Sequence, residues 1–178
     1  MTSNIEIVIH HGLVQCPSGF KVKPVTRSQP VNHLGLAKGR DGGPMINDGS
    51  MLCPGAINMI NVIISKCLRE NHLAFSWTSL QINCNTVADW HQDSNNVGTS
   101  AMLVGGHHSG GSFEVEGLGR VDLAGKLCFF DGHLWHRSHA FSGDRFSVVA
   151  FTHSLTDSCS SAARDSLVQL GFELPQTP

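Results

Sequence analysis

The hydrophobic period of this chain changes once, near Phe75, and that change limits the fold more than any other feature. Ahead of it, Ala56, Ile57, Ile60, Ile63, Ile64, Cys67 and Leu68 recur at three- and four-residue spacing, which predicts an amphipathic helix. Pro54 suits its first turn, and Lys66 and Arg69 meet the negative end of its dipole. After the change, Thr78, Leu80, Ile82 and Cys84 share one strand face, while Trp77, Ser79, Gln81, Asn83 and Asn85 share the other. Such a strand turns its polar face to water, or here to a barrel mouth that holds a polar ligand. Further short strands are expected at Ser100–Val104, Phe113–Glu116, Val121–Leu123, Leu127–Phe130 and Arg145–His153. Gly105-Gly106, Gly110-Gly111, Gly117, Gly119 and Ser142-Gly143-Asp144 read as the turns between them. Many short strands with glycine turns predict a β-sandwich or barrel. A last amphipathic segment, Ser160 to Leu170, ends at Gly171, a residue suited to close a helix.

The first fifty residues offer a strand-like run at Ile5–Ile9 and then segments rich in Gly, Pro, Ser and Asn. The stretch from Gly35 to Gly49, with Gly39, Gly42, Gly43 and Pro44, reads as a long loop, and its composition predicts a mobile flap beside an active-site mouth. No repeat or linker interrupts the chain, so its 178 residues are expected to form one domain. A formal net charge of −2 gives no global positive field for nucleic acid. The one basic cluster, Lys21, Lys23, Arg27, Lys38 and Arg40, reads as a solvated face. No signal-peptide pattern and no bilayer-length apolar run are present, so no membrane partner is expected. Cys16, Cys53, Cys67, Cys84, Cys128 and Cys159 are too scattered for a disulfide framework or a thiolate zinc site, which fits an intracellular setting, cytoplasmic or nuclear. Eleven histidines raise the expectation of a metal site without placing it.

His91 and Asp93 stand two positions apart, so in extended backbone both project to one side and can reach one ion. Two histidines and one carboxylate on one face of an octahedral iron leave the opposite positions open, as non-haem Fe(II) oxygenases require. Downstream, FFDGHLWHRSHAFSGDRFSVVAFTH offers His133, His136 and His139 as partners, followed by Arg145. If Arg145 opens a strand, it shares a face with Ser147 and Val149. An arginine and a serine side by side can grip a carboxylate, and the apolar flanks of Arg145 imply that an anionic partner exists.

Together QINCNTVADWHQDSNN, the glycine pair at 110–111, FDGHLWH and GDRFSVVAF resemble the Fe(II)/2-oxoglutarate-dependent dioxygenase superfamily over residues 75–153. Within it they look most like compact microbial and algal members near the ten-eleven translocation and J-binding DNA-base oxygenases. The resemblance implies a double-stranded β-helix, or jelly-roll, core with flanking helices. It makes His91, Asp93 and His136 the iron ligands, since His136 closes FDGHLWH nine positions before Arg145, and it leaves His133 and His139 as partly exposed rim residues. It gives the distal carboxylate of 2-oxoglutarate to Arg145 and Ser147, with Gln81, Asn83 and Asn85 as further candidates for that pocket, or else a solvated strand face. Asn95 and Asn96 are expected to shape a turn, His107 and His108 to form a surface pair in a loop, Asp131 to serve a turn, and Trp90 and Trp135 to pack around the iron. The implied reaction consumes O2 and 2-oxoglutarate, releases succinate and CO2, and oxidises a C–H bond. Superfamily halogenases lack the carboxylate so that chloride can bind; Asp93 therefore favours hydroxylation. The substrate is left open among a nucleobase, a free amino acid or small metabolite, and a peptide side chain. The rival readings are a non-catalytic cupin-type metal protein and a binding module with structural zinc.

Overall fold

Residues 79–84 extend as the period-two pattern predicts and pair on both edges, against residues 146–151 on one side and 32–35 on the other. The structure is a computed structural model that describes residues 9–10 and 32–176. In chain order the strands are β1 (Ile9–His10), β2 (Asn32–Lys38), β3 (Pro44–Ile46), β4 (Ser79–Cys84), β5 (Asn96–Gly110), β6 (Phe113–Val115), β7 (Gly119–Val121), β8 (Leu127–Asp131), β9 (His136–Ser138) and β10 (Phe141–His153). The helices are α1 (Asp48–Leu52), α2 (Pro54–Glu70) and α3 (Ser161–Gln169). Seven strands form one sheet in the order β1-β8-β5-β10-β4-β2-β3, and three form a second in the order β7-β6-β9. Their strand pairs are antiparallel, and the fold is the expected mainly β, jelly-roll class with flanking helices.

Strand alternation divides the apolar residues between two cores. Ala101 of β5 and Val148 and Ala150 of β10 face Ile57, Ile64 and Leu68 of α2 and Leu167 of α3. Their neighbours Met102 and Val104 face the small sheet, packing with Phe113, Val115, Cys128 and Phe130. A central sheet buried on both faces explains why residues 146–151 read almost continuously apolar. Each fully buried Ile or Leu of α2 contributes roughly 2 kcal/mol by leaving water. Two polar residues belong to that helix's buried face, Asn61 and Ser65; Asn61 accepts from Trp77 Nε1 and donates to the Leu170 carbonyl, both at 2.8 Å. α3 begins and ends as expected, with Ser160 accepting from the Ala163 amide and Gly171 at φ +84°.

Three expectations are corrected. The stretch from Gly35 to Gly49 is not a long loop: it is the β2–β3 hairpin followed by α1. Its glycines serve a tight turn, closed by Gly39 N–H to Gly43 O at 2.7 Å and Gly42 N–H to Gly39 O at 3.0 Å, and Pro44 opens the edge strand. None of its residues lines the cavity described below. Gly105-Gly106 and Ser142-Gly143-Asp144 are not turns but lie inside β5 and β10, which pair from Phe141↔Gly110 through Ala150↔Ala101. A Cβ at Gly105 would fall 2.4 Å from the Phe146 ring, and one at Gly143 would fall 2.2 Å from the His107 carbonyl, so these glycines permit close strand approach. His107 and His108 consequently sit on a strand. Of the Ile5–Ile9 run only Ile9 is described, and Lys21, Lys23, Arg27 and Cys16 lie outside the described residues.

Candidate metal centre and adjoining cavity

Two segments that are far apart in sequence are closed against each other by a single antiparallel bridge. His91 N–H donates to His136 O and His136 N–H to His91 O, both at 3.0 Å, and Asp93 N–H donates to Gly132 O at 2.8 Å. The bridge brings the two imidazoles to 4.3 Å between centroids. His91, Asp93 and His136 each present one ligand atom, and these atoms lie within 4.8 Å of one another.

Hydrogen bonds settle which nitrogen each imidazole offers. His91 Nδ1 lies 2.7 Å from the Asp89 carbonyl and His136 Nδ1 lies 2.8 Å from the Leu134 carbonyl. A carbonyl only accepts, so both Nδ1 atoms carry a proton, and in the neutral ring the lone pair left to ligate a metal is on Nε2. Burial holds His136 below the ordinary histidine range; the Leu134 carbonyl draws it back up, His91 lowers it and Asp93 raises it. Asp93 Oδ2 accepts from Asn96 Nδ2 at 2.9 Å, and the same amide donates to Ser100 Oγ at 2.9 Å. A Cβ on Gly132 would stand 3.0 Å from that carboxylate oxygen, so glycine there leaves room for it.

Arg145 is 4% exposed, and its Nε and one terminal nitrogen are buried without any partner among the described residues. Burial lowers its pKa from the usual guanidinium value. A guanidinium in that state lacks an anion, because an unpaired buried charge is strongly unfavourable. Ser147, the next residue on the same face of β10, is 3% exposed and accepts from Asn83 Nδ2 at 3.4 Å. Gln81 Nε2 donates in turn to Asn83 Oδ1 at 3.2 Å. The ligand cluster, Arg145, Ser147, Gln81 and Asn83 all line one cavity of about 390 Å³, with Met102, Phe113 and Phe130 as its apolar wall.

Asn85 is not in that wall. At φ +50° it turns the chain, accepting from the Arg145 amide at 2.7 Å and donating to Asp144 Oδ1 at 3.1 Å, so it pins the backbone that carries the arginine. His133 is exposed beside Asp131, whose carboxylate also accepts the His133 amide in a turn. His139 is half-buried and belongs to a separate cluster: Glu114 Oε2 accepts from Arg137 Nε at 2.8 Å and lies 2.6 Å from His139 Nε2. Hydrogen bonds from Arg137 first, then His139, hold Glu114 below the usual carboxylate range. His107 and His108 join no group of potential metal ligands among the described residues. Trp90 and Trp135 are 38% and 45% exposed and do not pack around the triad, since alternation across the bridge turns them away from it. The Arg137 guanidinium instead covers the Trp90 ring at 4.5 Å. The hold of Asn96 on Asp93 and the presence of His33 in the cavity wall escaped sequence reasoning. An amide three positions after Asp93 is the only trace of the first, and nothing local signals the second.

No family model and no curated protein matches the chain. Among solved structures 29 chains match. One is NgTET1 in complex with 5mC DNA, 20% identical, with a TM-score of 0.57 over 71% of this chain. This chain accounts for 62% of that one's length. The likeness is one of fold.

Proposed function

We propose that this chain is an Fe(II)- and 2-oxoglutarate-dependent oxygenase that oxidises a C–H bond of its substrate. One observation carries the reading: a two-histidine, one-carboxylate cluster shares a cavity with a buried arginine, two of whose nitrogens have no partner among the described residues. The donor set suits iron of the non-haem oxygenase type. In this reading residues 1–178 form one domain with its catalytic core at about 75–153. Its free cysteines accord with an intracellular setting.

Each residue then has a defined task. His91 and His136 present Nε2 and Asp93 a carboxylate oxygen to Fe(II), with Asn96 fixing the carboxylate. Arg145 grips the distal carboxylate of 2-oxoglutarate, and Ser147, whose oxygen already accepts from Asn83, keeps its hydroxyl proton to donate to the same group. Gln81 and Asn83 extend that donor chain; Asn85 acts only through the backbone of Arg145. Phe113, Phe130 and Met102 form an apolar wall that would limit water in the cavity. Iron, 2-oxoglutarate and O2 together supply the oxidising chemistry, releasing succinate and CO2.

The fold shared with a protein solved with 5mC DNA makes a methylated base one substrate to try, beside peptides and small metabolites. A cupin-type metal protein without 2-oxoglutarate chemistry would leave the orphaned Arg145 nitrogens unexplained, and a structural zinc site has no cysteine in the ligand cluster. The test is succinate release from 2-oxoglutarate by the Fe(II)-loaded protein in air, against panels of nucleic acid, amino acids and peptides. Release that depends on iron and rises with one panel member is expected. No release above iron alone would return the protein to the cupin reading.

A further inference from the structure

Strand register divides the cavity wall into rows. Ser147 lies opposite Asn83, and one pleat repeat further along, Val149 lies opposite Gln81, which in turn lies opposite His33 of β2. The second row is therefore about 7 Å beyond the first, away from Arg145. Phe151, one repeat further on and opposite Ser79, leans against this row, with its ring 5.6 Å from the His33 ring.

The charges in this cavity are quickly counted. Among the described residues of its wall, only Asp93 and Arg145 are a carboxylate or a guanidinium. On the reading above, the metal takes the first and the co-substrate takes the second. His33 adds no charge, because burial keeps it neutral more strongly than the Leu36 carbonyl favours the proton. Its Nε2 lies 2.8 Å from that carbonyl and donates to it, so in the neutral ring Nδ1 is the acceptor, and it has no partner among the described residues. Gln81 spends one N–H on Asn83 and keeps its carbonyl oxygen and its other N–H unused among the described residues.

We infer that the row His33, Gln81 and Val149, with Phe151 against it, is the substrate subsite, and that it takes an uncharged group carrying both a hydrogen-bond donor and an acceptor, of the amide kind, between apolar flanks. A carboxylate, phosphate or ammonium placed there would find no free countercharge among the described residues and would lose its hydration, a cost that a neutral amide edge avoids. The inference rests on the oxygenase reading, which assigns Asp93 and Arg145 to other ligands.

The test uses the protein loaded with Mn(II) and N-oxalylglycine, an unreactive stand-in for 2-oxoglutarate. Acetamide and acetate share one planar shape and differ in charge, methylammonium is a small cation, and the paramagnetic relaxation of their methyl protons reports which of them approaches the metal. Acetamide alone should be relaxed. His33→Phe, which keeps the ring and removes the acceptor, should weaken that relaxation about fivefold, as expected for one lost hydrogen bond. Gln81→Glu, nearly isosteric, should exchange acetamide for methylammonium. Binding of Mn(II) and N-oxalylglycine, measured first in each variant, shows that the site is intact. If either fails to bind the wild-type protein, the oxygenase reading falls and this inference with it. If both bind and acetate or methylammonium approaches as closely as acetamide, or the two substitutions change nothing, the subsite assignment alone is wrong.

Discussion

The two ends of the cavity are built on opposite principles. At the metal end the polar valences that do not face the ligand are already spent: both Nδ1 atoms bond carbonyls, and Asp93 is tied to Asn96. At the arginine end the backbone is pinned by Asn85, yet the guanidinium itself has two nitrogens with no partner among the described residues. The first end is oriented in advance and needs only a cation. The second carries a cost in the free protein that an anion would remove. A site that must bind metal before co-substrate could be assembled in this way, with rigidity where coordination geometry matters and unmet demand where a carboxylate must be captured.

Substitutions at the two ends should therefore behave differently. The largest effect is expected from His136→Ala, which should abolish Mn(II) or Fe(II) binding, while His133→Ala and His139→Ala leave it largely intact; titration calorimetry reads this directly. If His133→Ala instead removes the metal, the third ligand is misassigned. Next comes Arg145→Ala, which should spare the metal and weaken 2-oxoglutarate binding by about 2–5 kcal/mol, partly because a carboxylate is left buried and unpaired. Equal affinities in wild type and variant would remove the arginine from the co-substrate pocket.

Asn96→Ala should fall between a ligand loss and a neutral change, lowering metal affinity about 10- to 100-fold, as removal of groups behind a ligand does. An unchanged affinity would mean that Asp93 is held adequately by its backbone bond to Gly132. A smaller effect of opposite sign sharpens the comparison. Arg145→Met should stabilise the ligand-free protein by about 1 kcal/mol, because an uncompensated buried charge is exchanged for apolar packing. A denaturation midpoint that falls would show that the guanidinium is already satisfied.

The smallest effect is in pH. His33 and His153 both lie below the ordinary value of 6.5, through burial in each case, with His33 adding to the shift of His153. The unfolded chain then binds protons that the folded one refuses, so stability is full above about pH 6.5 and declines as pH falls toward the lower folded values. The decline should be shallower in His33→Phe, as urea midpoints across that range would show. Equal slopes would mean that His33 titrates freely.

Much of the site was legible because locally extended backbone puts residues two apart on one side. His91-x-Asp93 and Arg145-x-Ser147 each place two side chains on one face, and the structure brings both pairs to one cavity. The α2 stripe was legible from its helical period, except at Asn61, where a buried amide is paired with Trp77 in a distant segment. What could not be read depends on contacts between strands remote in sequence. Gly105 and Gly143 look like turn residues until Phe146 and His107 are seen against them. Asn85 looks like part of a polar strand face until its left-handed backbone turns it toward the Arg145 amide. Glu114 shows no sign of its role until β6 and β9 pair and bring Arg137 opposite it.

The central claim is that both ends of the cavity hold one co-substrate between them, and anaerobic titration of 2-oxoglutarate into the Fe(II)-loaded protein tests it most directly. A 2-oxoacid chelated to Fe(II) absorbs visible light. Wild type should therefore develop that band with saturable binding, Arg145→Ala should develop it only at much higher 2-oxoglutarate, and His136→Ala should not develop it at all. Saturable binding without the band, or a band equally easy to form in Arg145→Ala, would contradict the account.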